Sequence, residues 1–443
     1  MSTVVSILES LLAADRVISG EQITKTLKVP LSSTTVDGAL PQAVAYPQTE
    51  GELCEVMACA CAHRWRVLPF GSGSKLSWGG LAQGFDLAVS TQHLNQIIDH
   101  AVGDMTLTAA AGLKLADLKP QLAQQQQCLA IDPAYPDRAT LGGIVSTADT
   151  GSLRQRYNSV RDMLIGISFV RYDGKLAKAG GRVVKNVAGY DLMKLMTGAY
   201  GSLGIISQVT FRLYPIPDAS KTVIVAGAVN HIEKFAADLR QSSLTPIALD
   251  ILSPSLATKL GLDKAFTLAA CFQSNLPGVE EQVTRFSKLA PQPLSPQVLE
   301  GDAEAPLWDK RWLNGAGAAA DESWRDDAIV LAKVGVLPGK AVELLAKVHD
   351  QLSAAACGQI HAGSGIGTLM LPTTVATTAN LQALRALCES FGGYLIILQA
   401  PKSLKTTWDV WGYSGNALPI MRQIKATFDP HRLLSAGRFI GGL

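Results

Sequence analysis

The chain has 443 residues, 47% of them apolar and 17% charged, enough to bury a large core and more than one ordinary domain. A formal charge of +2 without any Lys/Arg run excludes the electrostatic footprint of a nucleic-acid or anionic-membrane binder. No apolar run approaches the roughly 18 residues of a membrane span, and the opening stretch carries Glu9 and Asp15 with no basic start. The expectation is a cytoplasmic protein, peripheral to a membrane only through partners.

Residues 1–40 read as a small helical lead-in. From Ala43 the pattern becomes strand, helix, strand, with "RVLPF" as the second strand. Cys54, Cys59 and Cys61 fall in the helix between, with Cys54, Met57, Ala58 and Cys61 on one face. A rigid helix cannot wrap three thiolates around one iron–sulfur cluster, and seven scattered cysteines fit a reducing compartment, so any such centre belongs to another chain. Strands follow at "FDLAVS" and "DMTLTAAAG", then a helix at "KLADLKPQLAQQQQ". "MLIGISFVRYDGKLAKAGG" reads as a hairpin turning at Asp173 and Gly174. "GYDLMKLMTGAYGSLG" reads as a helix leading into the strand "IISQVTFRLYP", after which Pro215 and Pro217 mark a boundary. Beyond it, strands such as "KTVIVAGAV", "IALDIL", "FTLAACF", "AIVLAKVGV" and "GGYLIILQA" alternate with helices, as in an antiparallel α+β layer. Residues 291–327 form a long irregular stretch. "GAGAAAD" at Gly315 formally satisfies G-x-G-x-x-A, but no strand precedes it.

The informative feature is glycine. "FGSGSKLSWGG", Phe70 to Gly80, follows a strand, as phosphate-binding loops do, because backbone N–H groups can wrap an anion where Cβ atoms would obstruct it. A Walker A loop fails because Leu76 follows Lys75, and a dinucleotide fingerprint fails because Leu76 takes the third glycine position. Two more small-residue clusters follow, Asp132 to Gly166 and Gly180 to Val209. One anion rarely needs three backbone approaches, whereas a long ligand with a pyrophosphate, a ribose and a flat ring does.

In this arrangement the chain resembles the vanillyl-alcohol oxidase/p-cresol methylhydroxylase (PCMH) flavoproteins, whose FAD pyrophosphate is held by an α+β domain that is not a Rossmann fold. More narrowly, "FGSGSKLSWGG", "TLGGIVST", "VVKNVAGYDLMKLMTGAYGSLGIISQV" and "FDPHRLLSAGRF" are similar to the FAD-binding E subunits of glycolate dehydrogenases, also called glycolate oxidases. The resemblance implies an α+β fold: a PCMH-type FAD-binding domain over 41–217, then an antiparallel α+β cap domain over 218–443 whose C-terminal segment returns to the FAD domain. It implies that Gly71, Ser72, Gly73, Ser74, Lys75 and Leu76 cradle the pyrophosphate. Pro133, Thr140, Leu141, Gly142, Gly143, Thr147 and Gly151 would form the facing wall, and Gly201, Leu203, Gly204, Ile205 and Ile206 would run beside the adenosine half. Relatives often attach flavin covalently, but positions 70–80 contain no His, Cys or Tyr, so noncovalent FAD is expected.

Hydroxy-acid-oxidising relatives carry H-x-G-D-G-N-x-H in the cap domain. Here the stretch is "HAGSGIGT": His361 remains, while Ser364, Ile366 and Thr368 replace the Asp, Asn and second His. No metal site is expected, and His361 is either a lone base or a structural histidine. "LWDKRW" supplies Trp308 and Arg311 at the W-x-x-R spacing whose Arg clamps a substrate carboxylate in the family. The resemblance thus implies an FAD subunit of a multisubunit 2-hydroxy-acid dehydrogenase that oxidises glycolate alongside a homologous FAD subunit and an iron–sulfur subunit. Two rival readings stand beside it: a self-sufficient glycolate or D-lactate dehydrogenase using Arg311 and His361, and a catalytically silent flavin-containing scaffold.

Overall fold

The computed structural model describes residues 3–27, 31–181, 189–308, 313 and 329–443. Arg311 and the Gly315 motif lie outside the described residues. The chain forms two compact units, one of Met1–Thr150, Ser159–Pro215 and Tyr413–Leu443, the other of Gly151–Asn158 and Ile216–Gly412.

The strands of the first unit are β1 (Val17–Ser19), β2 (Ala43–Ala45), β3 (Val67–Phe70), β4 (Leu87–Ser90), β5 (Ile97–Ala101), β6 (Thr106–Ala110), β7 (Gln127–Cys128), β8 (Leu164–Val170), β9 (Leu176–Gly180), β10 (Ile205–Arg212) and β11 (Tyr214–Pro215). β2 and β3 flank β4 in parallel, and β1 adds antiparallel to β2. The lead-in expected to be helical therefore also supplies a strand. β2 and β4 are buried along their whole length, which explains their continuous apolar runs. A second sheet runs β5-β6-β10-β8-β9, entirely antiparallel, and β7 pairs with β11.

The helix Glu50–Ala62 connects β2 to β3, its first turn capped by Thr49, whose side chain accepts from the Glu52 N–H. It buries Leu53, Val56, Met57 and Ala60, so of the expected face of Cys54, Met57, Ala58 and Cys61 only Met57 is buried. Both stripes have i, i+3, i+4, i+7 spacing, and the one containing Leu53 and Val56 offers more apolar area to the core. All seven cysteines are free. The helix expected from Gly189 is confined to Leu192–Met196, because Gly198, Tyr200 and Gly201 take positive φ values of 80°, 54° and 71° that end any α-helix.

The C-terminal return of the first unit is fastened by a buried cation. Lys425 donates to the Asp429 carboxylate at 2.6 Å, the Ser202 carbonyl at 2.7 Å and the Leu434 carbonyl at 2.8 Å, satisfying all three ammonium protons. Asp429 also accepts from the N–H groups of Leu433 and Leu434. Burial pulls the Lys425 ammonium below its ordinary range despite the attraction of Asp429.

The second unit holds β12 (Ala219–Gly227), β13 (Ala248–Leu252), β14 (Phe266–Ser274), β15 (Gln297–Leu299), β16 (Ile329–Gly335), β17 (Cys357–His361), β18 (Ile366–Pro372) and β19 (Tyr394–Gln399). They form one antiparallel sheet in the order β15-β12-β14-β13-β17-β18-β16-β19. Helices Val229–Gln241 and Leu276–Leu289 each bury one apolar stripe. Phe286 makes edge contacts with Phe235 and with Phe272 of β14, centroids 5.1 and 6.1 Å apart, so helices and sheet share one core.

Candidate functional site

β3 ends at Phe70 and the chain turns at Gly73, whose φ of +80° suits glycine. The turn is pinned from behind. Ser90 Oγ donates to the Gly71 carbonyl at 2.9 Å, Ser72 Oγ donates to the Arg138 carbonyl at 2.6 Å, and the Leu76 N–H returns to the Gly73 carbonyl. Lys75 turns away into an ion pair with Asp149 at 2.6 Å, both side chains largely buried, so it is a neutralised anchor rather than a free phosphate ligand. Among the described residues, the N–H groups of Ser72, Gly73, Ser74 and Lys75 donate to no protein acceptor. Four consecutive N–H donors held in this way form a ready anion cradle.

Opposite the turn, Thr140 caps the short helix Leu141–Ser146 by accepting from the Gly143 N–H. Two adjoining recesses result. One, of about 520 Å³, is lined by Gly71–Leu76 with Thr140, Gly143, Ser146, Thr147, Tyr200 and Arg438. The other, of about 370 Å³, is lined by Thr91, Gly142, Gly201, Gly204, Ile205 and Ile206. They share Pro69, Phe70, Gly71, Gly143 and Ser146, so one elongated ligand can occupy both.

The glycines divide by what a Cβ would meet. At Gly71, Gly142, Gly201 and Gly204 it would strike the protein itself: Thr140, Ala111, Pro69 and Phe169 respectively. These glycines serve close packing behind the recess. At Gly143 the nearest atom is Thr140 Oγ1 at 3.1 Å, with nothing else within 4 Å, so its missing side chain leaves recess space. Of the other residues the sequence nominated, Pro133, Leu141 and Leu203 are buried without lining either recess, and Gly151 belongs to the second unit.

Pro69, Phe70, Thr91, Ser146, Tyr200 and Arg438 line the recesses but escaped sequence reasoning. Arg438, 6% exposed, donates to the carbonyls of Leu76 and Trp78, both at 2.6 Å, and so ties the C-terminal segment to the end of the cradle. "FDPHRLLSAGRF" contained it, but nothing local to that stretch ties it to a loop more than 360 positions earlier. Tyr200 closes the same recess; burial, reinforced by the negative charge of Asp149, holds its phenol well above the ordinary range and keeps it neutral.

In the second unit, His361 ends β17 directly across from Asp250 on β13. Its Nδ1 lies 2.5 Å from Asp250 Oδ1, while Asp250 Oδ2 accepts from Ser152 Oγ and from Gln359 Nε2, each at 2.5 Å. Asp250, Ser152, Gln359 and His361 are all buried. His361 is therefore one member of a closed polar node, and Asp250, the residue that organises it, had no visible link to "HAGSGIGT" in the sequence. The serine contacts the carboxylate rather than the imidazole, which is not the arrangement of an activated nucleophile. Gly365, at φ +70°, makes the turn into β18. Thr368 pairs across to Gln359 and Lys333. Among the described residues, no group of three His, Cys, Asp or Glu side chains is placed to hold a metal ion.

Residues 41–180 match the model of an FAD binding domain. The chain is 23% identical to glycolate oxidase subunit GlcD of Bacillus subtilis (strain 168) across 90% of its own length and 89% of that protein's. It is 24% identical to the mitochondrial cytochrome D-lactate dehydrogenase of Arabidopsis thaliana, across 90% and 74%. Over 151 residues, 34% of this chain and 43% of that protein, it is 36% identical to glycolate oxidase subunit GlcE of Escherichia coli (strain K12). Substrate-bound p-cresol methylhydroxylase superposes with a TM-score of 0.74 at 16% identity, covering 98% of this chain and 96% of that one. The α+β fold is thus that of the PCMH-type FAD-binding oxidases, and the cofactor is FAD.

Proposed function

We propose that the chain is an FAD-dependent 2-hydroxy-acid dehydrogenase working as the FAD-binding subunit of a complex, one that oxidises glycolate to glyoxylate and passes the electrons to an iron–sulfur partner beside a homologous FAD subunit. The observation that carries this reading is the double recess of the first unit, with its four uncommitted N–H donors and the open position at Gly143. Ser72–Lys75 hold the pyrophosphate through the backbone, and Arg438 fixes the far end of that loop. FAD, when bound, supplies the two-electron chemistry, and the protein supplies placement and exclusion of water. Among the described residues, no His or Cys lines either recess, which supports noncovalent attachment.

In the second unit, Asp250 takes the Nδ1 proton of His361 as a hydrogen bond and fixes the ring's tautomer and orientation, leaving Nε2 as its basic atom. This pairing favours a second reading, in which the chain oxidises the hydroxy acid unaided. Against it stand Ser364, Ile366 and Thr368 in place of the Asp, Asn and second His that orient substrate in hydroxy-acid-oxidising relatives. A substrate needs its carboxylate clamped and its hydroxyl deprotonated at once, and misplacement of about 1 Å costs on the order of a hundredfold in rate. The test is anaerobic: FAD-loaded chain alone is mixed with glycolate or D-lactate and followed by flavin absorbance. The subunit reading expects no bleaching until the partner chains are added, with dithionite reducing the flavin throughout. Rapid bleaching of the lone chain, lost in His361→Ala, sinks that reading in favour of the second.

A further inference from the structure

We infer that a basic cleft of the first unit, separate from the FAD recess, docks an acidic segment of a protein partner. The cleft, open to solvent and of about 1120 Å³, is formed where the turn after helix Glu50–Ala62 meets the C-terminal segment. Arg64, Arg66, His431 and Arg432 line it, all four exposed, and among the described residues no acidic side chain lines it. Arg66 is partly engaged, at 3.4 Å from Asp86 and 3.1 Å from the Gln83 carbonyl, and Arg432 donates to the Gly442 carbonyl. Arg64 makes no side-chain hydrogen bond or ion pair among the described residues. The two pairs, Arg64 with Arg66 and His431 with Arg432, are distant from each other in sequence and gather only on folding, so no run of basic residues announces the cleft.

The backbone supports the inference independently. Arg64 and Arg432 both take left-handed conformations, φ 57° and 53°, at positions where glycine or asparagine is the unstrained choice. Arginine held in such a conformation at two places on one cleft points to a use for the side chains. Exposed guanidinium forks recognise carboxylates and phosphates. Among the described residues only Arg64, Arg66, His431 and Arg432 supply basic groups to the cleft, and the whole chain carries only +2, which favours a short acidic peptide over a nucleic acid, whose binding needs a long basic stripe tracking its phosphates.

The site is placed to matter. The cleft residue Leu433 gives its carbonyl to the Val67 N–H at 2.7 Å, and the Ser435 N–H returns to the Val67 carbonyl at 3.0 Å. The same strap continues to Arg438, which holds the cradle loop from the other side. A partner seated in the cleft thus rests on the segment that secures the cofactor.

This inference does not depend on the reaction, and its test reads binding. FAD-loaded chain is titrated against fluorescein-labelled deca-glutamate by anisotropy, with inorganic phosphate and a single-stranded DNA decamer as comparisons. The expected result is saturable peptide binding that weakens about tenfold or more between about 50 and about 200 mM salt. A comparable loss is expected in the Arg64→Asn/Arg432→Asn variant, whose FAD content and melting temperature stay those of the parent. Peptide binding indifferent to the double variant overturns the inference. So does absence of peptide binding while phosphate or DNA binds with the same arginine dependence.

Discussion

Gly142 and Gly143 are neighbours in one short helix, yet the structure gives them opposite burdens, and replacing each with valine separates cofactor binding from folding. A Cβ at Gly142 would stand 2.7 Å from Ala111 Cβ and 3.1 Å from the Ala111 carbonyl oxygen, on a backbone whose Gly142 N–H is already bonded to that oxygen at 2.7 Å. Neither neighbour can swing away, so Gly142→Val overpacks the site at a cost of about 1–3 kcal/mol. For a domain of this size that lowers the melting temperature by roughly 2–12 °C. A Cβ at Gly143 meets only the Thr140 hydroxyl at 3.1 Å, a contact relieved by a shift of a few tenths of an ångström, and valine is better than glycine in a helix by about 0.3 kcal/mol. Apo Gly143→Val should therefore melt within about 2 °C of the parent while its two methyls occupy the space shared by both recesses. Its FAD affinity should fall by about tenfold or more. Differential scanning fluorimetry of the apoproteins and FAD titration by flavin fluorescence read the two effects separately. Normal FAD affinity in Gly143→Val refutes the assignment of this recess, and an unchanged melting temperature in Gly142→Val refutes the packing argument.

Lys425→Met strands the buried Asp429 carboxylate and two carbonyls, and should destabilise the protein by about 3–5 kcal/mol in urea unfolding. Asp250→Ala leaves Ser152, Gln359 and His361 without their shared acceptor. It should cost about 3 kcal/mol or more while leaving FAD content of the folded fraction at the parental level, as measured in the acid supernatant. Burial raises the Tyr135 phenol from 10 to about 12, so the unfolded chain releases this proton first as pH climbs. Stability should then fall by about 1.4 kcal/mol per pH unit between those values, and chemical denaturation of Tyr135→Phe should show a correspondingly flatter decline. Arg438→Met removes both bonds to the Leu76 and Trp78 carbonyls and should weaken FAD binding about tenfold or more, because the cradle loses its far anchor.

The cradle was legible because glycine clusters are a local signal: Gly71–Leu76, Gly142–Gly143 and Gly201–Ile206 each announce tight backbone in the sequence, and folding brings them around one space. The purpose of individual glycines was not legible. Gly71, Gly142, Gly201 and Gly204 read as approaches to a ligand, whereas their neighbours are Thr140, Ala111, Pro69 and Phe169. Only the fold says which side of a backbone faces the core. The strand pattern of the second unit was readable from apolar runs, with β13 falling in the anticipated "IALDIL" strand. The register of β13 with β17, which sets Asp250 opposite His361, depends on pairing between segments more than a hundred residues apart. Arg438, Tyr200 and the arginine cleft were missed for the same reason: each acts through partners distant in the chain.

The central claim is that the first unit's paired recesses hold one FAD by its pyrophosphate. Isothermal titration of the apoprotein with FAD, and separately with FMN, tests it most directly. The account predicts one FAD per chain, released by acid into the supernatant, and binding of FMN weaker by orders of magnitude because FMN lacks the pyrophosphate that the Ser72–Lys75 N–H groups are set to receive. Equal affinity for FMN, or saturation with FAD that persists unchanged in Gly143→Val, would contradict it.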